Sequence, residues 1–323
     1  MQMEYTQLSL SNKKASRFVF GTAAPSIRGN EPEAACECLD LALEYGFTIF
    51  DSAHSYGNAE KNMGLWMQRR GCREQVILLD KGCNPGQAGS EDSLSASCIL
   101  SQVRESLDRL QTDYLDLYLL HRDDPSVPVD EIVEVLNQLK EEGKILRFGG
   151  SNWTQDRIRQ ANEYAARRGL EGFTAVSPCF SLVPQIGDPA CRSVCISGPA
   201  HQKERDWYAS HNIAVFPYSS LARGFLSGKF RTSSPGLADQ YLSPTTVQEY
   251  CYPENFRRLK QAEKLAEKKG ASVSQISLAW MLRQPLPVFP IISPSTEAHI
   301  KDNLQAFSVS LTDEDMDFLQ QDE

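Results

Sequence analysis

Short apolar runs alternate along this chain with longer segments in which apolar residues recur every three or four positions. The runs are RFVFG near 17, FTIFD at 47, QVILLDK at 75, YLDLYLLH at 114, ILRFGGS at 145, FTAVS at 173, AVFPYS at 214 and PVFPIIS at 287. Rich in Val, Ile, Leu and Phe, they predict eight strands. Between them PEAACECLDLALEYG, AEKNMGLWMQRRG, SASCILSQVRESLDRLQ, VDEIVEVLNQLKEEGK, TQDRIRQANEYAARRG and SVSQISLAWMLRQ carry helical spacing, and Gly46, Gly71, Gly143 and Gly169 stand where helices stop. Strands this apolar need cover on both faces, which parallel strands wrapped by helices supply. Eight such repeats predict an α/β fold of the (β/α)8 TIM-barrel class, with a doubly wound sheet as the alternative.

The opening MEYTQLSLSNKKASRF alternates apolar and polar residues around SNKK, which predicts a β-hairpin ahead of the first barrel strand and able to plug the barrel floor. Residues 182–208 and 219–253 exceed ordinary connections and are expected to be long loops at the C-terminal face that shape the ligand site. No linker, duplication or low-complexity tract interrupts the chain, so residues 1–323 are expected to form one domain.

Charge narrows the partners. With 42 acidic against 33 basic residues the formal charge is -9, a field that repels nucleic acid. The first residues lack an apolar signal-peptide core and no run of 18 apolar residues occurs, so a cytoplasmic protein with no membrane partner is expected. Nine cysteines lie apart without a C-x-x-C pair and read as reduced thiols. Cys191, Cys195, His201 and His211 match no common zinc spacing, and no metal site is expected.

In a (β/α)8 barrel chemistry sits at the carboxyl ends of the strands. Here those ends carry Asp51, Lys81, His121, Ser151 with Asn152, and Tyr218 with Ser219, while Tyr56 follows soon after Asp51. Asp51 and Lys81, on neighbouring strands, are expected to pair beneath Tyr56, where an ammonium would lower the phenol's pKa. Single residues of this kind usually anchor loops; the set together points to proton transfer.

FTIFDSAHSYGNAE at 47, the DK of VILLDKG, LYLLH at 117, GKILRFGGSNW at 143 and FPYSSLARGFLSGKF at 216 resemble the aldo-keto reductase family over nearly the whole chain. The resemblance maps that family's catalytic positions onto Asp51, Tyr56, Lys81 and His121. It implies an oxidoreductase that moves hydride between NADPH, or NADH, and an aldehyde, ketone or sugar carbonyl or the corresponding alcohol, with Tyr56 as proton donor. It also implies a cofactor bound without a Rossmann domain. No G-x-G-x-x-G follows a strand, and GFLSGK near 224 misses the P-loop spacing.

Further implied cofactor contacts are Thr22 and Asp51, then Ser151 and Asn152 at the carboxamide, with Ser177 where the family often has glutamine. Tyr218 would stack on the nicotinamide, and Ser219, Leu221, Ala222 and Lys229 would seat the pyrophosphate. Ser293, Ser295, His299, Asp302 and Asn303 would meet the adenosine end. Ser293 replaces a frequent glycine, and Thr296 with His299 stands where a basic residue often meets the 2′-phosphate, which leaves NADPH against NADH open. His54 reads as a loop residue. Two other classes stay open: a cofactor-binding, redox-sensing regulatory subunit with little turnover, and a metal-dependent barrel hydrolase or aldolase. Substrate and oligomeric state are not legible.

Overall fold

The computed structural model describes residues 2–8, 12–86, 91–188 and 193–321. It divides into two compact units, Glu4–Ser177 and Pro178–Glu323 with Met1–Met3.

In the first unit, β1 (Tyr5–Gln7) and β2 (Lys14–Ser16) pair antiparallel as the predicted hairpin. Six strands then pair in parallel and in chain order: β3 (Val19–Gly21), β4 (Ile49–Asp51), β5 (Ile77–Gly82), β6 (Leu117–Leu120), β7 (Phe148–Ser151) and β8 (Ala175–Ser177). Every residue of all six is buried, as strands covered on both faces must be. The helices are α1 (Pro25–Arg28), α2 (Pro32–Glu44), α3 (Ala59–Arg70), α4 (Ala96–Leu110), α5 (Val129–Glu141) and α6 (Gln155–Arg168). Ser95 and Thr154 cap α4 and α6 by accepting from the backbone N–H three residues on, and Gly71 and Gly169 end α3 and α6 in the left-handed conformation.

The hairpin is fixed at the amino ends of the strands. Lys13 Nζ lies 2.8 Å from Asp116, just ahead of β6, and donates to the Val76 carbonyl, just ahead of β5, also at 2.8 Å. Asp116 is buried; it also meets Arg73 at 2.9 Å and accepts from the Leu78 N–H at 3.0 Å. A carboxylate so enclosed is tolerated because two cations and a backbone donor satisfy it.

The second unit holds α7 (Gln202–Ser210), β9 (Ala214–Val215), α8 (Ala238–Tyr241), α9 (Pro244–Tyr250), α10 (Pro253–Lys269), α11 (Val273–Leu282), β10 (Ile291–Ile292), α12 (Glu297–Leu304) and α13 (Asp313–Gln320). Val215 bridges in parallel to Val288, ahead of β10. The expected loops need correction. Residues 182–208 run into α7, and residues 219–253 contain α8 and α9, so both are partly helical. α10 is a seventeen-residue helix absent from the six predicted. Its buried Leu259, Ala262, Leu265 and Ala266, with Pro253 at its start and Gly270 at its end, carried the signal.

The order of elements, a hairpin followed by eight strand-then-helix repeats, is that of the (β/α)8 class. Among the described residues no helix is long and apolar enough to cross a membrane.

Candidate active site

Because β4, β5 and β6 are parallel and in register, their carboxyl ends deliver Asp51, Lys81 and His121 to one edge. Lys81 Nζ forms an ion pair with Asp51 Oδ1 and donates to the Ser52 carbonyl at 2.6 Å. Asp51 and Lys81 are only 4% and 3% exposed, so neither charge is satisfied by solvent. Tyr56 sits in the turn between β4 and α3, where its N–H donates to the Ala53 carbonyl and its own carbonyl accepts from Ala59. That turn places the ring centroid 5.2 Å from the Lys81 ammonium and 5.8 Å from the His121 ring, edge to face. The four residues form one cluster within the first unit.

Burial and charge act in opposite directions here. Burial raises the Tyr56 phenol above its ordinary value, Lys81 pulls it down, and Asp51 pushes it up. The net direction is upward. The expectation of a lowered phenol is therefore corrected: Lys81 acts in the expected sense but is outweighed. Asp51 is raised by burial against the pull of Lys81. For Lys81 burial favours the neutral amine, yet the charge of Asp51 and its hydrogen bond prevail and hold it above its usual value. The cluster thus keeps a protonated phenol beside a charged ammonium at neutral pH.

The other candidates in this unit lie on β3, β7 and β8. Thr22, at the end of β3, gives its hydroxyl to the Asp51 carbonyl at 2.9 Å. Ser151 Oγ donates to the Ser177 carbonyl at 2.9 Å and accepts from Asn152 Nδ2 at 3.0 Å. Asn152 holds the left-handed region with φ of 57°, which asparagine tolerates better than most residues. Ser177 Oγ is buried and, among the described residues, has no hydrogen-bond partner. A buried hydroxyl left in that state is a vacant polar position that a ligand amide satisfies well. His54, by contrast, points to Glu105 at 3.0 Å in an exposed pair.

In the second unit, Tyr218 is half-buried, and its N–H donates to the Pro178 carbonyl at 3.1 Å. Ser219, Ala222 and Arg223 all adopt positive φ, at 54°, 49° and 50°. Three non-glycine residues in that region within five positions concentrate strain as ligand-holding loops do, and the Ala222 N–H is taken up within the segment by the Ser219 carbonyl at 2.7 Å. Leu221 lies within this segment half-buried, and Lys229 is exposed at its far end. Near α12, Thr296 caps the helix by accepting from the His299 N–H, and Ser295 Oγ lies 3.1 Å from His299 Nδ1. Ser293 and Ser295 are exposed, while Asn303 is buried. Asp302 already accepts from Ser272, Ser274 and Gln275, at 3.1, 2.6 and 2.7 Å, which ties α12 to the start of α11. Of the residues considered for a metal, Cys191 lies outside the described ones.

The model of the aldo/keto reductase family matches residues 17–321. Aldo-keto reductase YhdN of Bacillus subtilis is 31% identical over 88% of this chain and 82% of its own length. The uncharacterized oxidoreductase YrpG of the same organism is 29% identical over 97% and 93%. A probable voltage-gated potassium channel subunit beta of Arabidopsis thaliana is 26% identical over 95% and 92%. A match over so much of the chain, together with the strand-end cluster, establishes that this chain belongs to the aldo/keto reductase family of oxidoreductases.

Proposed function

We propose that this chain is an NADPH- or NADH-dependent carbonyl reductase of small aldehydes, ketones or sugars, working reversibly with the corresponding alcohols. The observation that carries the reading is the buried Lys81–Asp51 pair set against Tyr56, with His121 at the ring's edge. A protonated phenol beside a fixed cation is the arrangement a proton donor needs: it holds its proton until a carbonyl oxygen gains charge, and the phenolate formed is then stabilised.

The nicotinamide group fits the residues present, because the buried Ser177 hydroxyl, beside Ser151 and Asn152, lacks a hydrogen-bond partner among the described residues. Those three side chains would hold its carboxamide. Tyr218 would stack on the ring, Ser219, Leu221, Ala222 and Lys229 would receive the pyrophosphate, and Ser293, Ser295, His299 and Asn303 would face the adenosine end. Asp302 would act indirectly, by fixing α12. When bound, the reduced nicotinamide supplies hydride to the carbonyl carbon. Tyr56 Oη gives its proton to the carbonyl oxygen. His121 orients that oxygen, and Lys81, anchored by Asp51, carries the compensating positive charge.

The test is NADPH and NADH oxidation, followed by absorbance, against a panel of aldehydes, ketones and sugars. Turnover above background with some members supports the reading. Tight cofactor binding with no turnover on any member would support instead a regulatory subunit, the alternative that relatives named potassium channel subunits bring into view.

A further inference from the structure

Outside the tetrad two cysteines meet that lie fifteen positions apart in sequence. Cys83 directly follows β5, fully buried, in the left-handed region at φ of 58°. Its backbone N–H is held by Gln102 Oε1 at 2.7 Å. Its thiol is directed at Cys98 Sγ, 4.0 Å away. Cys98 occupies the first turn of the fifteen-residue α4, is half-buried, and receives the Ser93 N–H at 3.5 Å and the Gln102 amide at 3.8 Å.

We propose that Cys98 and Cys83 form an oxidant-reactive pair, in which Cys98 attacks a hydroperoxide and Cys83 then closes a disulfide with it. The division of labour follows from access: Cys98 reaches solvent and Cys83 does not. A helix amino terminus and three donors, one of them the Cys83 thiol, all favour the thiolate at Cys98. Hydrogen bonds, first from the Cys83 thiol and then from Ser93, bring its pKa down to about 6 against the opposing effects of burial and Asp92.

In the first step the Cys98 thiolate attacks the terminal peroxide oxygen. The O–O bond breaks, an S–O bond forms, and the departing alkoxide or hydroxide takes a proton to leave as alcohol or water. In the second step Cys83 loses its proton and its sulfur attacks the Cys98 sulfenic acid; the S–S bond forms and hydroxide leaves with that proton as water. Two thiols and one hydroperoxide become one disulfide, one alcohol or water, and one further water. The two sulfurs must approach by about 2 Å to reach the bonded distance of roughly 2.05 Å. α4's first turn, reached from residues 91–95, is the part that moves, because Cys83 is anchored to β5.

The test uses the full-length, fully reduced protein at pH 7, exposed to hydrogen peroxide, blocked with N-ethylmaleimide and mapped by mass spectrometry without reduction. A Cys83–Cys98 crosslink that grows with peroxide and disappears with dithiothreitol is expected. In Cys83→Ser, dimedone should trap the sulfenic acid at Cys98, and in Cys98→Ser neither crosslink nor label should form at Cys83. The unaltered protein gives an independent reading: iodoacetamide should modify Cys98 several-fold faster than Cys38 and Cys251, which are equally half-buried but have raised thiols. The proposal is overturned by crosslinks to other cysteines, by no dimedone label at Cys98 in Cys83→Ser, or by equal alkylation of the three thiols. None of these readouts depends on reductase turnover.

Discussion

At the scale of single residues, Tyr56 and Lys81 separate the chemical step from cofactor binding. Tyr56→Phe removes the hydroxyl but keeps the ring between Lys81 and His121, so reductase activity should fall by about 10²–10⁴ in kcat while cofactor affinity stays within about twofold. Lys81→Met should lose at least as much for a different reason. It leaves a buried Asp51 facing the phenol with no cation, so ionising either group becomes harder. Steady-state rates with a fluorescence titration of NADPH check both variants, and near-normal turnover by Tyr56→Phe would sink the assigned role. Asp51 and His121 could be read in sequence because each is the first polar residue after an apolar run, and Lys81 because it closes the next one, whereas Tyr56 lies in the turn beyond Asp51 and is assigned through the family resemblance. The partners of Asp302 could not: Ser272, Ser274 and Gln275 lie some thirty positions away, and only packing of α11 against α12 brings them to it. The net upward push on Tyr56 was hidden for a related reason, since sequence shows the neighbouring cation but not the depth of burial.

At the scale of elements, α3 and α4 approach so closely that Gly64 has no room for a side chain. A Cβ there would fall 2.4 Å from the Arg109 carbonyl oxygen and 2.8 Å from the Leu110 carbonyl carbon. Alanine in a helix interior ordinarily gains about 1 kcal/mol over glycine. Here the obstacle is backbone, which cannot rotate aside, and overpacking of this kind costs about 1–3 kcal/mol. Gly64→Ala should therefore lower the melting temperature by a few degrees, measured by circular dichroism, whereas the propensity gain acting alone would raise it. Elements were legible where periodicity was strong and bounded, as in α4 with its Ser95 cap or α6 between Thr154 and Gly169. They were less legible past residue 180, where α7, α8 and α9 are short and sit among prolines, serines and glycines. α10 is missing from the predicted helices although its spacing is regular, because it begins where the expected loop of residues 219–253 ends and the helix of that repeat is read at SVSQISLAWMLRQ.

At the scale of the whole molecule, the dependence of stability on pH carries the mark of one buried carboxyl. Asp80 adjoins Lys81 on β5 and faces Glu60 of α3 and Ser106 of α4, and Asp80 and Glu60 are both essentially inaccessible. Glu60 is already paired with Arg109 at 3.0 Å. Burial first, then the charge of Glu60, pushes the Asp80 carboxyl well above the usual range, while Lys81 pulls the other way. The sign follows by linkage. A group that holds its proton more tightly folded than unfolded contributes its full stability below the unfolded pKa of about 4, and loses it as pH rises from there toward the folded value. Asp80→Asn keeps the shape and has no proton to lose. Its amide can donate to the Glu60 oxygen that lacks a hydrogen-bond partner among the described residues. The variant should match the parent near pH 4 and become progressively more stable than it toward pH 8, by about 1.4 kcal/mol for each unit by which folding raises the Asp80 pKa. Urea denaturation at a series of pH values measures this difference. A gap that stays constant across the series, or that reverses so the parent gains on the variant as pH rises, would mean that Asp80 is ionised in the folded protein, held so by Lys81 rather than kept neutral by Glu60.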